Sequence, residues 1–172
     1  ILDKPLGLTS AQGVAAVKRI LRSQGLKAPR IGHGGTLDPL ATGVLPIALG
    51  EATKLAGRML DAAKAYDFTV QFGTQTSTLD AEGDVVATSD VRPNEAAVRA
   101  ILANFTGPIT QVPPQYSALK VDGQRAYALA RAGETVELAA RQLTIHSLSL
   151  TATTPESATL AAHVSKGTYI RS

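Results

Sequence analysis

The strongest constraint on this chain lies near its C-terminal end. Two runs rich in strand formers, about residues 141–152 and 157–165, are separated only by Thr153-Thr154-Pro155-Glu156. So short a link closes a hairpin and leaves no room for a parallel crossover, so the two runs pair antiparallel. Upstream, Tyr66, Phe68, Val70 and Phe72 alternate with Asp67, Thr69 and Gln71, which predicts another strand with one buried face. Asp80-Ala81-Glu82-Gly83 reads as a turn into a strand over Val85–Thr88. Gly107–Gln111 and Ser117–Val121 read as short strands, with Asp122-Gly123 as a hairpin turn. Helices are expected at four places. Thr9 and Ser10 can cap a face of Val14, Val17, Ile20 and Leu21. A second helix spans about 51–62, with Ala52, Leu55, Ala56 and Met59 inward. A third follows Pro93, with Val98, Ile101, Leu102 and Phe105, and a fourth covers Arg125–Ala132, stopped by Gly133. Hairpins interrupted by helices predict an α+β fold, a mainly antiparallel mixed sheet flanked by helices, not a doubly wound parallel sheet.

At 172 residues, with no repeat, low-complexity tract or linker, the chain reads as one domain. The absence of cysteine excludes disulfides, thiolate zinc sites, iron–sulfur clusters and cysteine nucleophiles, and fits a reducing compartment. No apolar run approaches ~20 residues, so no membrane-spanning helix is expected. Net charge is only +3, but its distribution is uneven. Residues 1–37 carry Lys4, Lys18, Arg19, Arg22, Lys27 and Arg30 against the single acid Asp3, while the remainder is slightly acidic. A phosphate-backbone partner selects such a basic face, and an ordinary solvated helix presents one too.

Several catalytic layouts are missing. The chain holds neither a Walker-type nor a dinucleotide-binding glycine loop, and His33, His146 and His163 lack any paired metal-ligand spacing. His33-Gly34-Gly35 is weakly similar to a lipase oxyanion loop, but no G-x-S-x-G elbow supplies a nucleophile. What remains is Gly32-His33-Gly34-Gly35-Thr36-Leu37-Asp38-Pro39-Leu40-Ala41-Thr42-Gly43, inside a stretch, 23–43, that reads as a long irregular loop. Pro39 holds Asp38 out of the helical conformation, and a carboxylate fixed in a rigid loop suits nucleophilic or acid–base work. Asp-Pro also initiates turns and caps helices, so residue type alone leaves both readings open.

These motifs resemble those of the bacterial TruB family, the tRNA pseudouridine-55 synthases. The resemblance rests on Lys4-Pro5-Leu6-Gly7-Leu8-Thr9-Ser10, Gly32–Gly43, Gly50-Glu51-Ala52-Thr53-Lys54, the Tyr66 strand, Gly73–Gly83, Tyr116-Ser117-Ala118-Leu119-Lys120 and Lys166-Gly167-Thr168-Tyr169-Ile170-Arg171, in that order along the whole chain. It implies the pseudouridine synthase catalytic fold and an isomerase that breaks a uridine's N-glycosidic bond, turns the base and rejoins it through carbon, with no cofactor and no metal. Asp38 aligns with the nucleophile, Tyr66 with a tyrosine packed on the target base, and Arg171 with the arginine that pairs with the catalytic aspartate. Asp80 aligns with an acid of that network, and Tyr169 with an active-site tyrosine. His33 aligns with a histidine inserted where the base leaves, so Gly34, Thr36 and Lys166 are further expected substrate contacts. Lys4 and Pro5 align with a motif that buttresses the catalytic loop.

The implied partner is the tRNA T-arm, without guide RNA or membrane, for a cytoplasmic monomer. A guide-dependent relative and a non-catalytic tRNA-binding module are the alternatives. Two departures stand out. Ser77 lies between Thr76 and Thr78 where the family usually carries an acid, and the sequence stops right after Arg171. The family continues with a helix, a strand and a PUA-type domain. Residues 1–172 are therefore expected to be a partial catalytic domain of weak or undetectable turnover, with Arg171 fraying and a sheet edge left open to pairing with another copy.

Overall fold

The structure, a computed structural model, describes residues 1–121, 123–134 and 136–172. It divides into two compact units, Ile1–Ala62 and Ala63–Ser172. Among the described residues no helix is long and apolar enough to cross a membrane.

In the first unit β1 (Leu2–Lys4) pairs antiparallel with β3 (Gly43–Leu45), and β2 (Ile31–His33) with β4 (Ile47–Leu49). Helix α1 (Ser10–Ser23) opens on a capping box, in which Thr9 Oγ1 accepts from the Gln12 amide and the Gln12 side chain accepts from the Thr9 amide. Its closest approach to the strands comes through Gly13. A Cβ there would stand 2.9 Å from a Leu2 methyl, so glycine is what lets the helix settle onto β1 and Leu45. Four expectations need correction here. Ile20 is exposed, because the small residues Ser10 and Gly13, not the large apolar ones, form the buried strip of α1. The stretch 23–43 is not wholly irregular, since β2 lies within it. Over 50–61 a 3₁₀ turn, Gly50–Leu55, precedes α2 (Ala56–Asp61), and Leu55 and Met59 are about half exposed, although the Met59 stem covers Gly34. Lys4 is likewise no part of a basic face: it is fully buried, whereas Lys18, Arg19, Arg22, Lys27 and Arg30 are not.

The second unit is built on β5 (Lys64–Gln71), β8 (Gly107–Gln111), β11 (Arg141–Thr154) and β12 (Ser157–Val164), in the order β5-β12-β11-β8, with every pairing antiparallel. The α+β expectation holds. One face is apolar: Leu143, Ile145, Ala162 and Val164 pack with Tyr66, Ile109 and Ile170. Beside them Leu150, Ala158 and Leu160 receive Val98 from α3 (Glu95–Ile101), capped by Asn94. Hairpin β6–β7 (Thr74–Thr76 and Val85–Thr88) carries the Asp80 turn. Strand β9 is shorter than expected, Lys120–Val121, and pairs with β10 (Gln124–Arg125) ahead of α4 (Ala126–Arg131). The turn expected at Asp122-Gly123 includes Asp122, which lies outside the described residues. Ile101 and Phe105 are half exposed, because the chain tightens into a 3₁₀ turn after Ile101 and Leu102 alone of the three packs inward. A bulge between Ile145 and Ser147 brings the exposed rings of His146 and His163 to 5.0 Å. Distance in sequence said nothing about their proximity.

Candidate active site

In the first unit, Asp38 sits half-buried on the loop between β2 and β3. That loop is irregular, so its main-chain groups need partners from elsewhere. Lys4 Nζ donates to one of them, the Pro39 carbonyl (3.4 Å), and to the carbonyls of Leu8 (2.7 Å) and Pro5 (2.9 Å) in the β1–α1 connection, so it joins the two segments. The Gly7 amide donates to the same Pro39 oxygen at 2.8 Å. On the other side of Asp38, the Leu37 amide donates to Ser10 Oγ (2.9 Å) and that hydroxyl donates back to the Leu37 carbonyl (3.2 Å). Both neighbours of Asp38 are thus pinned. Burial lowers the pKa of Lys4 below its ordinary 10.5, and the Asp38 carboxylate pulls in the opposite direction. Three carbonyls around a three-donor ammonium favour the charged form, as the Asp38 charge does. The result is a carboxylate fixed in place beside a fixed cation, which can act as nucleophile or base.

Upstream in the same loop, the Gly34 amide donates to the Pro46 carbonyl at 2.9 Å. A Cβ on Gly34 would stand 2.8 Å from the Met59 Cβ, so no side chain fits. His33 ends β2, and its Nδ1 meets the Gly35 carbonyl, which turns the ring back over its own loop. Thr36 is exposed.

The second unit gathers a different group. Arg171 Nη1 donates to the Thr78 carbonyl and Nη2 to the Tyr116 carbonyl, both at 3.0 Å, and Nη1 lies 3.5 Å from Asp80 Oδ2. Both charged side chains are largely buried, so the pairing is screened much less than a surface one. Asp80 is held from its other oxygen by the Thr78 hydroxyl (2.5 Å) and the Glu82 amide (3.0 Å). Gly83 closes this turn, and a Cβ there would clash with Thr78 Oγ1. With Ser77 at the position where an acid was expected, Asp80 supplies the carboxylate of this turn. Tyr66, on β5 opposite Ala162, is half-buried. Lys166 is exposed just beyond β12, and Tyr169 is half-buried. A cavity of about 310 Å³ is lined by Leu79 and Ser172, the neighbours in sequence of Asp80 and Arg171, together with Thr76, Ser77 and Pro114. Another of about 330 Å³, around Lys120, Glu137 and Arg141, includes none of the expected site residues.

The residue that sequence reasoning missed is Gln111. Its buried amide accepts from the Tyr169 N–H (2.9 Å) and donates to the carbonyls of Tyr169 (2.9 Å) and Ser172 (2.8 Å). Ser172 Oγ adds a bond to the Val112 carbonyl, and Ile170 packs into the sheet's apolar cluster. The segment expected to fray is tied down on both sides of Arg171. A signal was present. Along β8 the inward positions are Gly107, Ile109 and Gln111, so a glutamine stands where the alternation calls for an apolar side chain.

Residues 18–170 match the TruB family pseudouridylate synthase (N terminal domain). The chain is 67% identical to the tRNA pseudouridine synthase B of Novosphingobium aromaticivorans and 57% to that of Zymomonas mobilis, in each case over all of this chain. It spans 58% and 57% of those relatives, a little over half their length. Among solved structures, a chain from a Cbf5-Nop10-Gar1 complex aligns with a TM-score of 0.69 at 30% identity, covering 99% of this chain and 40% of that one. A chain from an H/ACA RNP bound to a substrate RNA containing 2'-deoxyuridine aligns at 0.67 and 26%, covering 99% and 38%.

Proposed function

The chain belongs to the TruB family of pseudouridylate synthases, and from that premise we propose that it carries the catalytic site of an isomerase converting the T-loop uridine of tRNA, position 55, to pseudouridine. The observation that carries the reading is Asp38, a carboxylate pinned on both sides within the loop the resemblance singles out. Asp38 bonds covalently to the nucleotide, at the uracil ring or at the anomeric carbon, and the bond from N1 to C1′ breaks. The base turns, C5 joins C1′, and the bond to Asp38 breaks to return the carboxylate. The proton displaced from C5 leaves to a base, a role for which Tyr66 is the candidate, and N1 takes up a proton. In the second unit Arg171 and Asp80 form a charged network, and the resemblance pairs Arg171 with the nucleophile. The uridine must leave its stack to react, and the His33 ring is suited to fill the gap it vacates. Tyr169, Gly34, Thr36 and Lys166 complete the proposed contacts. In this reading the enzyme is a cytoplasmic monomer that needs no guide RNA, cofactor or metal.

A guide-dependent enzyme is the second reading, since one similar solved chain comes from a ribonucleoprotein bound to a substrate RNA. The 26–30% identity of the solved structures against 57–67% for the relatives named tRNA pseudouridine synthase B favours the first. Pseudouridine formation on a T-arm transcript, with no second RNA and with chelator present, tests it. Asp38→Asn should lower turnover by at least roughly a thousandfold, since an amide is not a nucleophile. Turnover by that variant within tenfold of the parent overturns the assignment of Asp38.

A further inference from the structure

We propose that Gln111 is a positioning residue for Arg171, an inference that rests on the isomerase reading above. The turn at 169–172 presents both an N–H and carbonyls to the end of β8, and a primary amide is the side chain that can answer both at once. A carboxylate offers no donor and an ammonium no acceptor. The strand beneath Gln111 is itself held firmly, since β8 pairs residue for residue with β11 and Gln111 stands opposite Arg141. Its three bonds fall on residues 169 and 172, flanking Arg171, and Ile170 between them is seated in the same apolar cluster as Ile109. The backbone that launches the Arg171 side chain therefore has one course.

From there the guanidinium reaches the carbonyls of Thr78 and Tyr116 and the carboxylate of Asp80, three partners on two further segments of the unit. Loosening the turn by about 1 Å leaves the guanidinium charge in place but misdirects it, an error that costs on the order of a hundredfold in rate. Gln111 touches none of the reacting atoms. Its effect should thus appear in kcat.

Three variants of the full chain test this: Gln111→Leu, which fills the space and removes all three bonds, Gln111→Glu, which keeps only acceptors, and Gln111→Asn, which keeps the amide on a shorter stem. For Gln111→Leu we expect kcat on the T-arm transcript to fall roughly 30- to 100-fold with KM within about threefold. The Tyr169 amide should exchange with solvent at least roughly tenfold faster, while the amides of Leu148 and Leu160 in the sheet keep their protection. Gln111→Glu should recover turnover relative to the parent as pH falls from 8 to 6, because a protonated carboxyl regains one donor; Gln111→Leu should show no such recovery. Gln111→Asn should fall between the parent and Gln111→Leu in both kcat and exchange.

Loss of activity accompanied by general opening of the sheet amides would make the role structural and overturn the proposal, as would a kcat for Gln111→Leu within threefold of the parent. If the parent itself forms no pseudouridine, the isomerase reading fails. The clamp is then decided by Tyr169 exchange and by the NMR signal of the Arg171 side chain. A shift of that signal in Gln111→Leu supports the positioning role, and an unchanged signal overturns it.

Discussion

The loop around Asp38 in the first unit and the turn around Arg171 in the second pose the same physical problem. Each is irregular backbone that carries a charged side chain and must not move. Each receives bonds from a buried polar residue of β1 or β8, Lys4 or Gln111, yet the two residues are of opposite kinds. Lys4 faces carbonyls only, so a side chain with three donors and no acceptor satisfies them. Gln111 faces an N–H as well as carbonyls, so an amide is required. The surroundings differ too. Among the described residues of the first unit, Leu45 is the fully buried apolar side chain, whereas the second unit buries Val98, Leu143, Ile145, Leu150, Leu160 and Val164 in its sheet. One unit leans on polar bonds to main chain; the other sets its polar clamp into an apolar wall.

Substitutions can break or sharpen that contrast. The largest effect on stability is expected in the apolar wall: Leu160→Ala should cost about 3 kcal/mol in urea unfolding, the usual range for a buried leucine. A cost below that of the polar substitutions would invert the comparison. Next comes Lys4→Met, which keeps the stem and takes the ammonium donor from the Pro5 and Leu8 carbonyls, while Pro39 keeps its bond from the Gly7 amide, at about 2 kcal/mol.

The pH dependence of Lys4 sharpens the point. Burial lowers its pKa in the folded state, so the unfolded chain binds more protons in the window between the lowered value and 10.5. Stability of the parent relative to Lys4→Met should therefore rise as pH rises through that window. A falling difference would mean that the three carbonyls and Asp38 outweigh burial. The smallest effect belongs to the helix that supplies Ser10: Thr9→Ala removes the capping box and should cost about 1 kcal/mol in the same measurement.

What the sequence made legible follows from the physics that shapes each part. The β11–β12 hairpin and β5 were readable because alternation over many residues and a short turn leave few other options. Strand β2 was not, since Ile31-Gly32-His33 is too short to show a period and lies among glycines. The inward face of α1 was misread at Ile20 because apolar spacing cannot register a contact made by the absence of a side chain, as at Gly13. Of the site, Asp38 stood out by its loop, while Asp80 and Arg171 came only with the family resemblance, since their meeting is a matter of tertiary structure. Lys4 counted towards the basic N-terminal face by charge and as a buttress of the catalytic loop by resemblance, and it proved to be fully buried. Gln111 was hidden in plain alternation, where one polar letter in an inward position reads as an exception.

The strand order of the second unit also carries a consequence for how the protein assembles itself. Strands β11 and β12 are joined by a tight turn, with Thr154 opposite Ser157, so they can zip together with little loss of chain entropy. Strand β5 must find β12 with Gln71 opposite Ser157, closing a loop that contains most of the unit. Contacts that distant in sequence form late and slowly. The hairpin is thus the natural nucleus, and β5 the last piece to arrive. Tyr66 travels on β5, so a chain caught before that step has its nucleus and most of its apolar wall but lacks the ring proposed to meet the base.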